Sequence, residues 1–189
     1  MLDFLKELDT KLLFAINGAH YSFCDYLMFW ASDRFIWIPF YFFLAFILYR
    51  QYGSKFWMIF LSVSILIILN NLLTVFIKEH VMRFRPCHNL LLQSKIILID
   101  GNCGGLFSFV SSHAANSMAL TTFIILLIGK KIKWLSILML AWCLIVSYSR
   151  VYMGVHYPSD VLGGWLTGLT LALIVFNLYK RFLLKKHTE

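Results

Sequence analysis

Residues 149–160 read Ser149-Arg150-Val151-Tyr152-Met153-Gly154-Val155-His156-Tyr157-Pro158-Ser159-Asp160. A guanidinium, an imidazole and a carboxylate fall within this stretch, at the junction of two strongly apolar segments where polar side chains are costly to keep. His156 and Asp160 are four residues apart. With Pro158 in the first turn of the next helix, both side chains lie on one face and the carboxylate can orient the imidazole. Arg150, at the end of the preceding helix, then offers a planar cationic fork to a phosphate-like anion. Taken alone, the stretch reads equally well as a solvated ion pair beside a structural histidine. Its surroundings decide between the two.

Those surroundings are apolar throughout. Of 189 residues, 60% are hydrophobic and 14% charged, and the mean hydropathy is +0.76. A soluble domain of this length has no interior large enough for that much apolar surface, so the chain belongs in a membrane. Only three prolines, and no Gly/Ser-rich tract, leave no place for a linker, and 1–189 reads as a single domain. A net charge of +8 could suggest nucleic acid. The basic residues cluster in short turns beside apolar segments, however, as membrane anchoring requires, and no nucleic-acid partner is expected. Met1–His20 carries Asp3, Glu7 and Asp9 and lacks a basic start followed by a clean apolar run, so no cleaved signal peptide is expected.

Flanking the 149–160 stretch are the apolar runs Trp134–Ser147 and Val161–Tyr179, and further upstream Leu106–Ile128 and Phe56–Ile77 have the character of bilayer spans. Tyr21–Ala31 and Phe35–Tyr49, cut by Asp33 and Arg34, make one span or two. Met1–Ala19 mixes leucines with charged residues at helical spacing, which suits a helix lying in the interface. The expected fold is therefore all-α: a polytopic transmembrane bundle of five or six spans plus an N-terminal interfacial helix. Asn70 and Asn71, inside one span, must find partners within the bundle. Glu79–Gly105 is the long polar stretch and reads as an extramembrane loop.

Orientation follows from charge. The turns Arg50–Lys55 and Lys130–Lys133 and the tail bearing Lys180, Arg181, Lys185 and Lys186 are strongly basic, with Glu189 as their acidic counterweight. Alternation of spans puts all three on one side, which the positive-inside rule makes cytoplasmic. Lys78, the 79–105 loop, Ser111, His113, Arg150, His156 and Asp160 then meet at the outer face.

Lys78 and Arg85 are seven residues apart, two helical turns, and point the same way if the helix continues until Pro86 stops it. Ser111–His113 directly precedes a helical run, where free N–H groups and the helix dipole favour an anion and Ser111 can act as cap. Each of these alone reads more simply as an anchor or a satisfied polar residue. Together, K-x6-R-P at Lys78, Arg85 and Pro86, Ser-x-His at Ser111 and His113, and S-R-x5-H-x3-D at Ser149, Arg150, His156 and Asp160 resemble, in order and spacing, the three motifs of the phosphatidic acid phosphatase type 2 (PAP2) superfamily. These are membrane lipid phosphatases sharing a site with vanadium haloperoxidases and class A acid phosphatases. The resemblance runs from Lys78 to Asp160. The second motif departs from the usual Pro-Ser-Gly-His, with Val110 for the proline and Ser112 for the glycine. Backbone N–H donors survive both changes, while the loop loses the conformational freedom of glycine and the fixed angle of proline.

The resemblance implies a PAP2/haloperoxidase-like core and a phosphatase in which His156 attacks phosphorus while Asp160 holds its imidazole. His113 would protonate the leaving oxygen and then activate water, and Lys78, Arg85, Ser111, the Ser112 backbone and Arg150 would clamp the phosphoryl oxygens. It implies no metal and no cofactor. The implied substrate is a lipid phosphate or diphosphate of the bacterial inner membrane. An isoprenoid diphosphate, phosphatidylglycerol phosphate, phosphatidate and a lipid A phosphate share the group these motifs contact. A phosphotransferase, or a non-catalytic lipid-phosphate carrier, fits the same residues, and nothing specifies an oligomeric state. His156 is expected to face solvent. Cys87 and Cys103 bracket the outer loop and are expected to pair if that loop lies in an oxidising periplasm.

Overall fold

The computed structural model describes residues 2–99, 101–129 and 131–185. Of the basic clusters, Lys130 and Lys186 lie outside the described residues, as does Glu189. The chain forms α1 (Leu2–Asn17), α2 (Ser22–Ser32), α3 (Ile38–Tyr52), α4 (Phe56–Val81), α5 (Ser112–Ile128), α6 (Lys133–Tyr152) and α7 (Pro158–Lys185). Among the described residues the one strand-like pairing is an isolated bridge between Phe84 and Phe107. The fold is all-α, as composition and periodicity imply.

Helical stretches at 38–81, 133–152 and 158–182 are long and apolar enough to cross a membrane, and Ser112–Ile128 is a shorter apolar helix. The first of these is a hairpin of α3 and α4, turned at Gly53, whose φ of 54° lies where a side chain would be strained. Leu48, Ile59, Leu66, Phe123, Ile128, Leu135, Met139 and Val175 fill a core shared by α3 to α7. Phe42, Phe46, Leu72, Ile137 and Leu166 point outward and are more than half exposed. That polarity suits a lipid surround, where an apolar exterior costs nothing and association relies on close fit. The closest fit is between α5 and α7. Gly164 faces the start of α5, and a Cβ there would come within 2.6 Å of the Ser111 carbonyl oxygen.

The helix ends depart from the expected boundaries wherever polar chain meets the bundle. The third apolar run was expected to span from Leu106, but α5 begins only at Ser112, and 106–111 is non-helical. Similarly, α4 does not run on to Pro86. It ends at Val81 because Met82 turns left-handed, with φ 49°. Residues 83–85 then extend beside 106–108, where Arg85 N donates to Leu106 O at 3.1 Å and Ser108 N to Arg83 O at 2.8 Å.

Helices α1 and α2 lie across one end of the bundle. On α1 the leucines at 5, 8 and 12 are exposed while Asp9, Leu13 and Asn17 are buried, the reverse of a soluble amphipathic helix. Asn17 Nδ2 donates to Tyr152 O at 2.7 Å and to Ile97 O at 2.9 Å. Tyr152 in turn donates its hydroxyl to Asp25 of α2 at 2.6 Å. The α3–α4 and α5–α6 turns meet at the opposite end, where the Tyr52 hydroxyl donates to Leu127 O at 2.7 Å and Lys131 sits over the Tyr52 ring.

Candidate active site

The 149–160 stretch closes α6 and opens α7. Met153 caps α6, donating its N–H to Ser149 O, and Gly154 turns the chain with φ 72°. A side chain at Gly154 would be strained by that angle and would also meet Ile96 and Asn17. Pro158 is the first residue of α7, where its missing N–H is no loss. Asp160, one turn in, reaches back to accept from Tyr157 N at 2.8 Å, the return half of a capping box. The same oxygen faces His156 Nδ1 at 3.4 Å. The expected imidazole–carboxylate pair is therefore formed, but His156 stands in the turn before α7 and not on a face of that helix, and Asp160 meets it by reaching back.

His156 does not face solvent as expected: it is 1% exposed. The turn tucks it beneath the 83–85 and 106–108 segments, a placement that sequence spacing does not encode. Burial, with Arg85, Arg150 and Lys78 nearby, holds its imidazole well below the usual histidine range, opposed only in part by a hydrogen bond to the Ser108 backbone. That environment favours the neutral ring. With Nδ1 turned to the carboxylate, Nε2 is the nitrogen left to act as a nucleophile.

The three motif cations converge from separate elements. Lys78, in the last turn of α4, donates from Nζ to Ser112 Oγ at 2.6 Å. Arg85 is aimed by the loop that bridges it rather than by a helix, with Nε to Phe107 O at 3.3 Å and Nη1 to Cys103 O at 3.0 Å. Arg150, in the last turn of α6, donates to the Ser32 hydroxyl of α2. His113, in the first turn of α5, lies in the field of all three and of His156. Ser111 caps α5 and is wholly buried; its hydroxyl accepts from Ala114 N at 3.5 Å, and its N–H donates to Asp160 O at 2.9 Å, which pins the start of α5 to the start of α7. The first-turn N–H groups of Ser112 and His113 have no partner within the helix, so they offer an anion two donors and the positive end of a helix dipole. The residue standing for glycine thus has a function of its own: the Ser112 hydroxyl joins Lys78 and, at 2.9 Å, Thr74.

Two residues important to this geometry were missed from the sequence. Arg83 donates to Asp160 Oδ1 at 2.9 Å, to Ser159 Oγ at 2.6 Å and to Asp9 Oδ2 at 2.7 Å, with its guanidinium 3.7 Å over the Tyr157 ring. Asp9 of α1 also accepts from Ser159 N at 2.8 Å. Asp160 is therefore held by one oxygen on Arg83 and by the other on Tyr157 N and His156. In the sequence, the available signals were the two-residue spacing of Arg83 and Arg85 before Pro86, and the polar line Asp9, Asn17 flanking Leu13 at helical spacing. The expected disulfide is present, with Cys87 and Cys103 joined across Cα atoms 6.1 Å apart.

The PAP2 superfamily model matches residues 57–183. The chain is 35% identical over 171 residues to a lipid A 4'-phosphatase of Bacteroides thetaiotaomicron, covering 89% of this chain and 75% of that protein. It is 25% identical to a lipid A 4'-phosphatase of Porphyromonas gingivalis over 94% of this chain and 75% of that one. Among solved structures, its fold is similar to a transmembrane PAP2-type phosphatidylglycerolphosphate phosphatase from Bacillus subtilis, with a TM-score of 0.70 at 21% identity, covering 94% of this chain and 87% of the other. It is also similar to LpxE of Aquifex aeolicus, with a TM-score of 0.64 at 23% identity, covering 90% and 95%. The three motifs, the bundle that assembles them and these likenesses agree: the chain belongs to the PAP2 superfamily and is a membrane-embedded phosphatase.

Proposed function

We propose that this protein removes phosphate from a lipid phosphomonoester through a phosphohistidine at His156, and that an acylated lipid of the lipid A type is its first candidate substrate. The observation that carries the mechanism is the buried His156 fixed by Asp160, with Lys78, Arg85 and Arg150 nearby. His156 Nε2 attacks phosphorus. The cations and the first-turn N–H groups of α5 take up the charge on the phosphoryl oxygens, which is where most of the rate gain in phosphoryl transfer arises. His113 gives a proton to the departing lipid oxygen, then takes one from the water that cleaves the phosphorus–nitrogen bond. Ser111 acts through the helix start it caps. The choice of substrate class is supported by the names of the two curated relatives.

The site is proposed to face the periplasm. Support comes from the Cys87–Cys103 disulfide at the site end and from Lys55 and Lys131, both in turns at the other end. The test is phosphate release from a panel of lipid phosphates by purified protein, together with a rapid quench using labelled substrate. Acid-labile, alkali-stable label on wild type, absent from His156→Ala, is the expected result. Turnover by His156→Ala at the wild-type rate would refute the mechanism.

A further inference from the structure

A cavity of about 520 Å³ opens beneath His113 and Ser112 and runs between α3, α4, α5 and α6 past Trp37, Leu44, Ile59, Val63 and Leu120. Its wall is mostly apolar; Ser32, Asp33 and Arg34 add polar groups, and so do Asn71 and Asn116. The two asparagines belong to a directed ladder: Asn70 Nδ2 donates to Asn116 Oδ1 at 2.7 Å, and Asn116 Nδ2 donates to Asn71 Oδ1 at 2.8 Å. The ladder ends on Asn71, an exposed residue whose Nδ2 finds no acceptor among the described residues. In a lipid surround, the exposed donor that ends this ladder is costly to leave unmet, and a ligand carbonyl can supply its acceptor.

We infer that Asn71, held by Asn116, donates to an acyl carbonyl of the bound lipid, whose fatty chain occupies this cavity while its phosphate meets His156. The inference rests on the lipid-phosphatase reading above and adds a residue that selects among lipids. Depth supports it. Asn116 is about one turn along α5 from His113, and Asn71 two turns along α4 from Lys78, roughly 10 Å. In a phosphorylated glycerolipid or acylated sugar, an ester or amide carbonyl stands a few bonds from phosphorus. In a polyprenyl phosphate the same depth holds only hydrocarbon, which would leave the Asn71 donor unmet.

The test uses full-length protein in detergent and matched probes: a diacylglycerol phosphate, the dialkyl ether of equal chain length that lacks the carbonyls, and a polyprenyl monophosphate. Wild type should favour the diacyl over the dialkyl probe by about tenfold in kcat/KM, mainly through KM. Asn71→Leu should erase that preference, and Asn71→Ser, which keeps a donor, should retain part of it. Repeating the comparison with an N-acylated amino-sugar phosphate and its N-alkyl counterpart distinguishes an amide from an ester source. The pair whose preference depends on Asn71 identifies it. Equal activity of wild type on acyl and alkyl probes, or a loss in Asn71→Leu shared by all substrates, would overturn the subsite. Failure of wild type to release phosphate from any lipid would instead overturn the function on which it rests.

Discussion

At the scale of single residues, Arg83 carries the sharpest expectation. It is the cation that two buried carboxylates share, and its side chain is 27% exposed against 9% for Asp9 and 0% for Asp160. Arg83→Gln leaves both acids without their shared cation, a change that costs about 3–5 kcal/mol where such pairs are buried. We expect a lower unfolding temperature in detergent and at least a tenfold fall in kcat with little change in KM, since Arg83 positions Asp160 and does not reach the phosphate. Arg83→Lys restores the charge but not the fork, so it should recover stability better than rate. For His156, the unfolded chain takes up a proton near pH 6.5, while the folded ring resists it to well below that value. Its contribution to stability is therefore complete above about pH 6.5 and is lost progressively as pH falls below it. An NMR titration of labelled histidine should find this ring neutral at pH 6. Ser111, His156 and Asp160 were legible because helix caps and a short turn place them within a few residues of chain, whereas Arg85 was legible by its motif spacing but not by the helix expected to carry it. Arg83 and Asp9 were not, since their partnership joins residues 74 positions apart and appears only once α1 has folded over the site end.

At the scale of elements, the least legible parts were those whose polarity inverts in lipid. On α1, read from sequence as an interfacial helix, Leu5, Leu8 and Leu12 do face outward, but the sequence did not show that the polar line Asp9 and Asn17 turns inward to tie the helix to Arg83, Ser159 and Tyr152. Asp9→Ala should consequently reduce activity several-fold although it lies outside all three motifs, measurable as phosphate release with an unchanged substrate ranking. The non-helical segments were misjudged for a related reason. Backbone pairing of 83–85 with 106–108 replaces the helix expected to carry Arg85, and the acceptors that aim its guanidinium belong to Cys103 and Phe107. The disulfide holds that pairing at its open end. Closing a loop of this size contributes about 3 kcal/mol, so reduction or Cys103→Ser should lower stability by that order. Activity should fall further than activity in a control cysteine variant, Cys24→Ser. Peptide mapping without reductant should show Cys87 joined to Cys103.

At the scale of the whole molecule, the site and the basic turns occupy opposite ends of the bundle, and this separation turns a charge count into a topology. Lys55, at the α3–α4 turn, and Lys131, at the α5–α6 turn, stand beside the Tyr52–Leu127 contact. Lys78, Arg85, Arg150, His113 and His156 lie at the other end, with the disulfide. Juxtamembrane cations resist translocation while long loops cross with their charge, so the turns should remain cytoplasmic and the 82–111 segment should be exported. Such an export would be compatible with the cations at the candidate-site end, which are bound to carbonyls, hydroxyls and carboxylates within the fold. A cysteine introduced at Ser94, in the exposed part of that loop, should react with a membrane-impermeant maleimide in intact spheroplasts. One introduced at Ser54, in the α3–α4 turn, should react only after permeabilisation. The reverse pattern would place the phosphatase on cytosolic-leaflet lipids and remove the oxidising compartment that the disulfide requires, so the labelling result and the redox state of Cys87 should change together or not at all.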